Sequence, residues 1–240
     1  VKEDSEKLKD NQKVLVELHT WTSQEKDPLV KVVEVLGQKG DHEVEIRSIL
    51  LEKGIDTNFP PEVEEEAKAI HEDWYARTDE HIAEGLTSGR RDFRKTLTMT
   101  IDPASAKDFD DAISLQKIQN PKNKKQELYE LAVHIADVSH YVRPGTAIDD
   151  EATERGSSTY LVDRTIPMLP EVLSNGLCSL NPDEDKYAFS AIFELDTNAR
   201  VQKRRFEKTV IRSDKRFSYE GAQAVIDSEK GEWAHELAVL

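Results

Sequence analysis

The stretch IDPASAKDFDDA, residues 101–112, places four aspartates within ten residues. Asp102 ends an alternating apolar run, Pro103 removes a backbone donor, and small residues then allow a tight loop before Asp108, Asp110 and Asp111. Carboxylates this close are costly to ionise together unless water or a cation compensates them. Oxygen ligands without histidine or cysteine are those that Mg²⁺ and Mn²⁺ prefer. The stretch therefore predicts a divalent-metal site suited to phosphoryl transfer.

Three other kinds of segment could contain clustered acidic residues or bind phosphate: an acidic surface loop, an EF-hand and a glycine-rich loop. On spacing alone, an acidic surface loop stays open as an alternative. An EF-hand is excluded because the stretch lacks a glycine at its sixth position and a correctly placed glutamate. No glycine-rich fingerprint follows any predicted strand, so the sequence predicts neither a P-loop nor a nucleotide cofactor.

Strands flank the acidic stretch on both sides. Leu97, Met99 and Ile101 alternate with threonines before it, and residues 112–115 continue as a strand after it. Further strands are predicted over 131–141, 187–195 and 200–213, a loop over 119–123, and helices that begin at Thr146 and Ser218. This pattern predicts an α+β fold with a mixed or antiparallel sheet and surrounding helices.

The region before this domain has a different pattern. Residues 14–21 and 29–36 are predicted strands joined by a polar turn. Because two strands alone are marginal in water, we expect them to belong to a larger sheet. Helices are predicted from residue 42 to residue 95, including a glutamate-rich segment typical of a solvated helix face. We therefore divide the chain into a β region at 1–39, a helical connector at 40–95 and a mixed domain at 96–240.

The composition limits the class of protein. With 33 Lys+Arg and 48 Asp+Glu the net charge is −15, which argues mildly against a nucleic-acid binder, although much of that charge lies in the predicted helices. No apolar run of ~18 residues exists, so no membrane span is predicted. The single cysteine, Cys178, and the absence of a signal-peptide pattern predict a cytoplasmic protein. Because the first residue is Val1, we expect a piece of a longer protein.

Four blocks of sequence occur in a fixed order. They are IDPASAKDFDDA at 101–112, VHIADVSHYV at 133–142, ERGSSTYL at 154–161 and IPMLPEVLSNGLCSLNP at 166–182. Together they resemble the RNB catalytic domain of the ribonuclease II/ribonuclease R family, and most of all its bacterial ribonuclease R members. The resemblance implies processive 3′→5′ hydrolysis of single-stranded RNA to nucleoside 5′-monophosphates with a divalent metal. It also implies that residues 1–39 end a cold-shock domain with an OB-type β-barrel, a fold that binds single strands.

The same resemblance implies roles for individual residues. The family's catalytic aspartates, which bind Mg²⁺ or alternatively Mn²⁺, match Asp102, Asp108, Asp110 and Asp111. Asp110 matches the one that is least replaceable. Tyr160 matches the family tyrosine that stacks on bases near the 3′ end, an interaction open to every base. Tyr219 lies where the family has a second active-site tyrosine, and we expect it to bind RNA as well. Phe217 stands where relatives often carry leucine, a departure that bears on Tyr219.

A basic segment occupies residues 203–216. It fits two explanations equally: a wall that follows the RNA phosphates, or an edge strand that uses charge to prevent aggregation. The RNA-binding prediction rests on Lys203, Arg204, Arg205 and Arg212. His134 and His140 fall on one face of the same predicted strand, and we expect structural roles for both and for Cys178.

Two other function classes stay open. A non-catalytic RNA-binding relative would keep the fold and lose the chemistry, and the intact aspartates argue against it. A partner-binding protein centred on the acidic helices at 62–84 is the weaker alternative, and no protein partner is predicted. The resemblance places further catalytic residues, including an arginine, beyond Leu240. We therefore expect little nuclease activity from the 240 residues by themselves.

Overall fold

The computed structural model of the chain describes residues 8–23, 27–120, 123–231 and 233–239, which fall into two units, Val1–Phe59 and Pro60–Leu240. In the first unit, β1 (Gln12–Thr20) pairs with β2 (Leu29–Gln38) in antiparallel register, and α1 (His42–Glu52) follows. The Asp41 side chain caps α1 by accepting a hydrogen bond from the Glu43 amide at 3.0 Å. The two strands and the helix predicted for this region are confirmed.

A seven-stranded sheet forms the centre of the second unit. Its strands are β3 (Arg91–Asp92), β4 (Thr98–Asp102), β5 (Asp111–Asn120), β6 (Asn123–Ala136), β9 (Asp185–Leu195), β10 (Val201–Arg212) and β11 (Lys215–Ser218). The order across the sheet is β11-β4-β5-β6-β9-β10-β3. The two outermost pairs, β11 with β4 and β10 with β3, are parallel, and the four inner pairs are antiparallel. The predicted mixed sheet is thus confirmed.

Helices and one small hairpin complete this unit. The hairpin consists of β7 (Thr159–Tyr160) and β8 (Thr165–Ile166). The helices are α2 (Pro61–Ala76), α3 (Thr78–Thr87), α4 (Val138–Tyr141), α5 (Ala147–Arg155), a π-helix (Val172–Leu177), α6 (Tyr219–Ser228) and α7 (Ala234–Val239). Within the described ranges, no helix combines the length and apolar character needed to cross a membrane.

Two helix starts predicted from the sequence are confirmed. The Thr146 hydroxyl accepts a hydrogen bond from the Asp149 amide at 3.3 Å, and α5 begins at the next residue. The Ser218 hydroxyl accepts from the Gly221 amide at 3.0 Å, and α6 follows directly after β11. Each cap satisfies one of the amides that a first helical turn leaves without a partner.

The predicted strand over 131–141 is too long. β6 ends at Ala136, because the buried Asp137 side chain accepts a hydrogen bond from Arg90 at 2.6 Å and the chain then turns into α4. His134 and His140 therefore do not share a strand face, which corrects that prediction. The predicted loop at 119–123 is also shorter, since β5 continues to Asn120 and β6 begins at Asn123, while residues 121–122 lie outside the described part.

His134 is fully buried and joins three strands. Its Nε2 lies 2.8 Å from the Ser114 hydroxyl, and its Nδ1 lies 2.6 Å from the Ser190 hydroxyl. Ser190 lies 2.6 Å from the Thr209 hydroxyl, which extends the network to β10. Burial lowers the pKa of His134 to about 4, so the ring is neutral at physiological pH. This supports the structural role expected for the residue.

The low pKa of His134 predicts a loss of stability in mild acid. The unfolded chain binds a proton near pH 6.5 while the folded chain resists it until about pH 4, so unfolding is favoured as the pH falls through this range. Between pH 7 and pH 4 we expect this residue to cost about 3 kcal/mol. Urea unfolding of wild-type and His134→Gln protein at both pH values measures the difference. An equal pH dependence of the two proteins would contradict the prediction.

Cys178 is buried, and burial raises the pKa of its thiol to about 12. The thiol is therefore protonated at neutral pH and is a poor nucleophile, because the thiolate is the reactive form. This supports the expected packing role.

Candidate metal centre

The four aspartates lie on one loop between neighbouring strands. β4 ends at Asp102 and β5 begins at Asp111. Between them, Asp108 and Asp110 flank Phe109, whose side chain is only 5% exposed. Burial of this ring anchors the middle of the loop. Its two neighbours remain accessible to solvent, Asp110 more so than Asp108.

Backbone contacts fix the part of the loop around Phe109. Its amide donates to the Ser179 hydroxyl at 2.9 Å, and its carbonyl accepts from the Leu180 amide at 2.8 Å. The next carbonyl, that of Asp110, accepts from the Ala136 amide at the end of β6 at 3.0 Å. Segments distant in sequence thus hold the loop and leave its carboxylates without a part in those contacts.

Arg216 contacts the first half of the same loop. One guanidinium nitrogen, Nη2, lies 2.9 Å from the Ala104 carbonyl oxygen, 3.1 Å from that of Ala106 and 3.4 Å from that of Pro103. The guanidinium carbon lies 4.6 Å from the centre of the Phe109 ring. Arg216 therefore touches both the turn after Asp102 and the residue between Asp108 and Asp110.

Burial, and then the neighbouring carboxylates, raise the pKa values of two members of the group. Burial raises the pKa of Asp102, the nearby Thr100 hydroxyl and the Arg216 guanidinium oppose the rise, and the charges of Asp111 and Asp108 add to it. Partial desolvation raises the pKa of Asp110, with further contributions from Asp108, Asp111 and Asp102. No salt bridge joins any of the four to a lysine, arginine or histidine of the described chain. Their negative charge is therefore left for a ligand to neutralise.

The donor atoms suit a hard cation. The Oδ2 atom of Asp102 and the hydroxyl of Thr100 are buried without a hydrogen-bond partner in the described structure. Buried oxygens of this kind normally have a partner, so an orphan requires an explanation such as an ion or water. Among the described residues, no three of the four aspartates offer oxygens that all lie within 4.8 Å of one another. Such an open arrangement suits Mg²⁺, which keeps several waters and completes its shell with substrate phosphates.

The two candidate tyrosines lie in different places. Tyr219 begins α6 directly after Ser218, which is the register partner of Asp102 in the parallel pair of β11 and β4. Its side chain is 57% exposed, so it lies beside the aspartate loop with its ring accessible. Tyr160 belongs to the β7–β8 hairpin and is 70% exposed. Both rings are open to a stacking partner.

The strand register places part of the basic segment level with the aspartates. Asp111, Ile135, Phe189 and Lys208 are successive partners across β5, β6, β9 and β10. Ile135 and Phe189 are 48% and 47% exposed, so this row of the sheet is only partly covered. Arg212 lies at the same end of β10, where its Nε donates to Asp185 at 2.6 Å.

Lys203, Arg204 and Arg205 lie toward the other end of the sheet. Lys203 is five residues before Lys208 on β10, a displacement of roughly 17 Å along a strand. Lys203 lies 3.6 Å from Glu194, whereas Arg204 is exposed. The structure thus brings together the four aspartates and Tyr219, and it does not bring these three basic residues to them.

Arg205 takes part in a buried ion-pair network. Its guanidinium contacts both Glu194, at 2.9 Å, and Glu130. The Glu130 side chain is only 3% exposed and also accepts hydrogen bonds from Arg91 at 2.8 Å and Gln116 at 2.7 Å. Two arginines therefore share one buried carboxylate. An RNA-binding role for Arg205 stays a prediction beside this observed structural role.

Sequence reasoning did not find the residues that hold the loop. Arg216 lies in the basic segment and Ser179 and Leu180 in the stretch at 166–182, but nothing in their local pattern indicates a contact with residues 103–110. Those contacts depend on strand order and on burial. A polar residue inside an apolar stretch, such as Ser179, is the one signal that could have indicated a buried hydrogen bond.

Comparison with known families matches two segments of the chain. The RNB domain matches residues 90–238, more than half of the chain and including the whole aspartate loop. The cold shock domain matches residues 1–60. The cold-shock assignment of the N-terminal region is thus confirmed at the level of the family.

Relatives from bacteria and eukaryotes align with nearly the whole chain. Ribonuclease R of Thermotoga maritima is 42% identical over 220 residues, which cover 91% of this chain and 29% of the relative. The exosome complex exonuclease dis3 of Schizosaccharomyces pombe is 38% identical over 219 residues, covering 91% and 22%. The chain therefore spans under a third of the length of these relatives.

Solved structures share the fold. Mycoplasma genitalium RNase R in complex with ribose-methylated single-stranded RNA has a TM-score of 0.79 at 29% identity, covering 97% of this chain and 34% of that one. Yeast Ssd1, a pseudonuclease, has a TM-score of 0.65 at 19% identity, covering 98% and 28%, and shows the fold alone. Taken with the RNB match, these comparisons show that the chain belongs to the RNB-domain family, which includes relatives named ribonuclease R.

Proposed function

We propose that the chain supplies the metal-binding part of a processive exoribonuclease that hydrolyses single-stranded RNA from the 3′ end to nucleoside 5′-monophosphates. The observation that carries this proposal is the loop of four aspartates, whose charge no protein cation pairs and which includes a buried unpartnered oxygen. Membership of the RNB-domain family supports a nuclease, and relatives named as exonucleases support removal from an end.

The aspartates would hold the divalent cation, Mg²⁺ or alternatively Mn²⁺, in the proposed enzyme. A cation bound there would supply Lewis-acid chemistry, activating water and neutralising charge on the scissile phosphate. Asp102 offers the buried, unpartnered oxygen, and Asp108, Asp110 and Asp111 approach from the solvent side. Arg216, Ser179 and Leu180 hold the loop backbone through contacts that leave the carboxylate oxygens unused.

Tyr160 and Tyr219 would stack on bases near the 3′ end. Exposed aromatic rings bind single strands without sequence preference, because every base has a π-face. The position of Tyr219 beside Asp102 in the register supports a contact close to the scissile phosphate. Phe217, at the position where relatives often carry leucine, is 7% exposed and packs in a core with Met99, so its side chain points away from solvent.

The remaining assignments belong to the same proposal. Single-stranded RNA is the partner, the protein is cytoplasmic, and no nucleotide cofactor takes part. The division into residues 1–39, 40–95 and 96–240 stays a proposal, with the helical part as a connector between the cold-shock and catalytic domains.

We infer that Lys203, Arg204 and Arg212 add RNA affinity by contacting phosphates. Changing all three to glutamine in the whole protein should reduce the slope of log affinity against log salt by ~0.7 for each lost contact. Maximal turnover should change little. Fluorescence anisotropy with a single-stranded RNA over a range of salt concentrations measures the slope. Lys68→Gln with Lys117→Gln, two exposed lysines elsewhere, is the control, and an unchanged slope in the triple variant would favour the edge-strand explanation.

A second candidate is an RNA-binding protein without catalysis. The similarity to a pseudonuclease shows that this fold does not require activity. The complete set of four aspartates favours the enzyme, because a binding protein has no need of clustered negative charge near phosphates.

Product analysis tests the proposed function. The whole protein is incubated with Mg²⁺ and a single-stranded RNA labelled at its 5′ end, and the products are separated by size. Stepwise shortening from the 3′ end, with release of 5′-monophosphates and complete inhibition by EDTA, is expected. Internal cleavage, shortening from the labelled end or activity in EDTA would contradict the proposed reaction, and binding without any cleavage would favour the second candidate.

A further inference from the structure

The aspartate loop turns around the guanidinium of Arg216. Three carbonyl oxygens of the loop, those of Pro103, Ala104 and Ala106, lie 2.9–3.4 Å from its Nη2 atom. Only one other hydrogen bond is recorded inside this turn, from the Ala106 amide to the Pro103 carbonyl at 3.0 Å. The turn therefore depends on a side chain from β11, over a hundred residues later in the sequence.

The choice of partners is unusual for an arginine beside four carboxylates. Charge-assisted pairing with a carboxylate is the stronger interaction, yet no salt bridge between Arg216 and an acid is found in the described chain. Its Nη2 atom donates to backbone carbonyls, and its guanidinium carbon lies over the Phe109 ring. As a result, it orders the loop without occupying the oxygens that would bind a cation.

Two sets of contacts then bracket the loop. Arg216 holds residues 103–106, and Ser179 with Leu180 holds the backbone at Phe109. Phe109 connects the two sets, because its ring lies under the guanidinium while its amide and carbonyl face the stretch after the π-helix. Asp108 lies in the loop between the two sets of contacts, and Asp102 lies immediately before the first set.

We propose that Arg216 is a positioning residue that holds the aspartate loop in its metal-binding conformation before any metal arrives. The statement that the loop binds a metal rests on the proposed function. The order that Arg216 gives to the loop is a property of the protein alone and can be measured without a metal. A lysine keeps the positive charge, yet its ammonium ends about one bond short of the Nη2 position and has no planar face to pack on Phe109. Arg216→Lys therefore removes the contacts of the guanidinium while it keeps the positive charge.

Amide hydrogen exchange of the metal-free protein tests the ordering. In Arg216→Lys, the amides of Ala106 and Phe109, which donate hydrogen bonds in the described loop, should exchange about tenfold faster than in the wild type, since the loop opens more often once the contacts of the guanidinium are lost. Exchange in β5 and β6 should be unchanged. Lys215→Arg, a change at the exposed neighbouring position on β11, serves as the matched control and should leave loop exchange unaltered.

Binding of Mn²⁺, followed by the loss of its free electron-spin resonance signal, tests the consequence. We expect Arg216→Lys to bind the ion about three- to tenfold more weakly than the wild type, with Asp110→Asn as the reference for a damaged site. Equal loop exchange in Arg216→Lys and wild type overturns the proposal, as does a variant that only unfolds at a lower temperature. A wild type that binds no Mn²⁺ would refute the metal chemistry of the proposed function, whereas the exchange experiment would still decide the role of Arg216.

Discussion

Asp110→Asn in the whole protein should lower RNA turnover by about 10³-fold or more, because it removes a charge that faces the cation and reacting phosphate. The substitution keeps the size of the side chain, and the Asp110 contact with Ala136 uses its backbone carbonyl, so the loop should keep its shape. RNA affinity should remain within a few-fold of the wild type, since stacking on the exposed tyrosines is untouched and a negative charge near phosphate is lost. Single-turnover cleavage and anisotropy measure the two effects.

A matched control separates the loss of a metal ligand from a general change of charge. Asp150→Asn changes an exposed aspartate on α5 and should leave turnover unaltered. Retention of more than a tenth of wild-type turnover in Asp110→Asn would remove Asp110 from the proposed centre. Equal losses of turnover and of folded protein would instead indicate a structural role, and circular dichroism distinguishes these outcomes.

Glu130→Gln should destabilise the fold by up to about 3 kcal/mol, because the hydrogen bonds of a buried carboxylate to charged groups are weakened. Glu130 is almost fully buried and is the shared partner of Arg91 and Arg205. Glutamine keeps the shape and one acceptor oxygen but leaves two guanidinium groups facing a neutral side chain. Urea unfolding at neutral pH measures the change.

The surface pair of Lys117 and Glu127 provides the contrast. These side chains are 52% and 68% exposed and 3.9 Å apart, so Glu127→Gln should cost under about 0.5 kcal/mol. A similar small cost for Glu130→Gln would show that water or side-chain movement compensates the two partly buried arginines.

Local patterns were sufficient to predict much of the fold, and they also give a prediction for the chemistry of the site. The alternation at Met99 and Ile101 predicts β4, hydroxyls at Thr146 and Ser218 predict helix starts, and the aspartate spacing predicts a hard-metal centre. Each of these predictions depends on residues close together in sequence. Side-chain period and capping are local properties, so the sequence carries them directly.

The predictions that failed or stayed open depend on distant contacts. The strand predicted over residues 131–141 ends at Ala136, where Asp137 pairs with Arg90, 47 residues earlier in the sequence. Likewise, no local pattern could separate Lys208, which lies level with Asp111, from Lys203, which lies farther along the sheet. Sheet register decides both, and register is set by burial across several strands.

The parallel pairing of β11 with β4 has a consequence for how the protein is made. Asp102 and Arg216 are separated by 114 residues, a stretch that a ribosome needs roughly 6–20 s to synthesise at its usual rates. Until Arg216 has been synthesised, the emerging chain carries four carboxylates without a counter-ion. The aspartate loop then still lacks the side chain that holds its backbone. Closing so long a segment is also entropically demanding, which places this step among the slow ones in folding. The aspartate loop should therefore take its ordered conformation only late, after most of the sheet has left the ribosome.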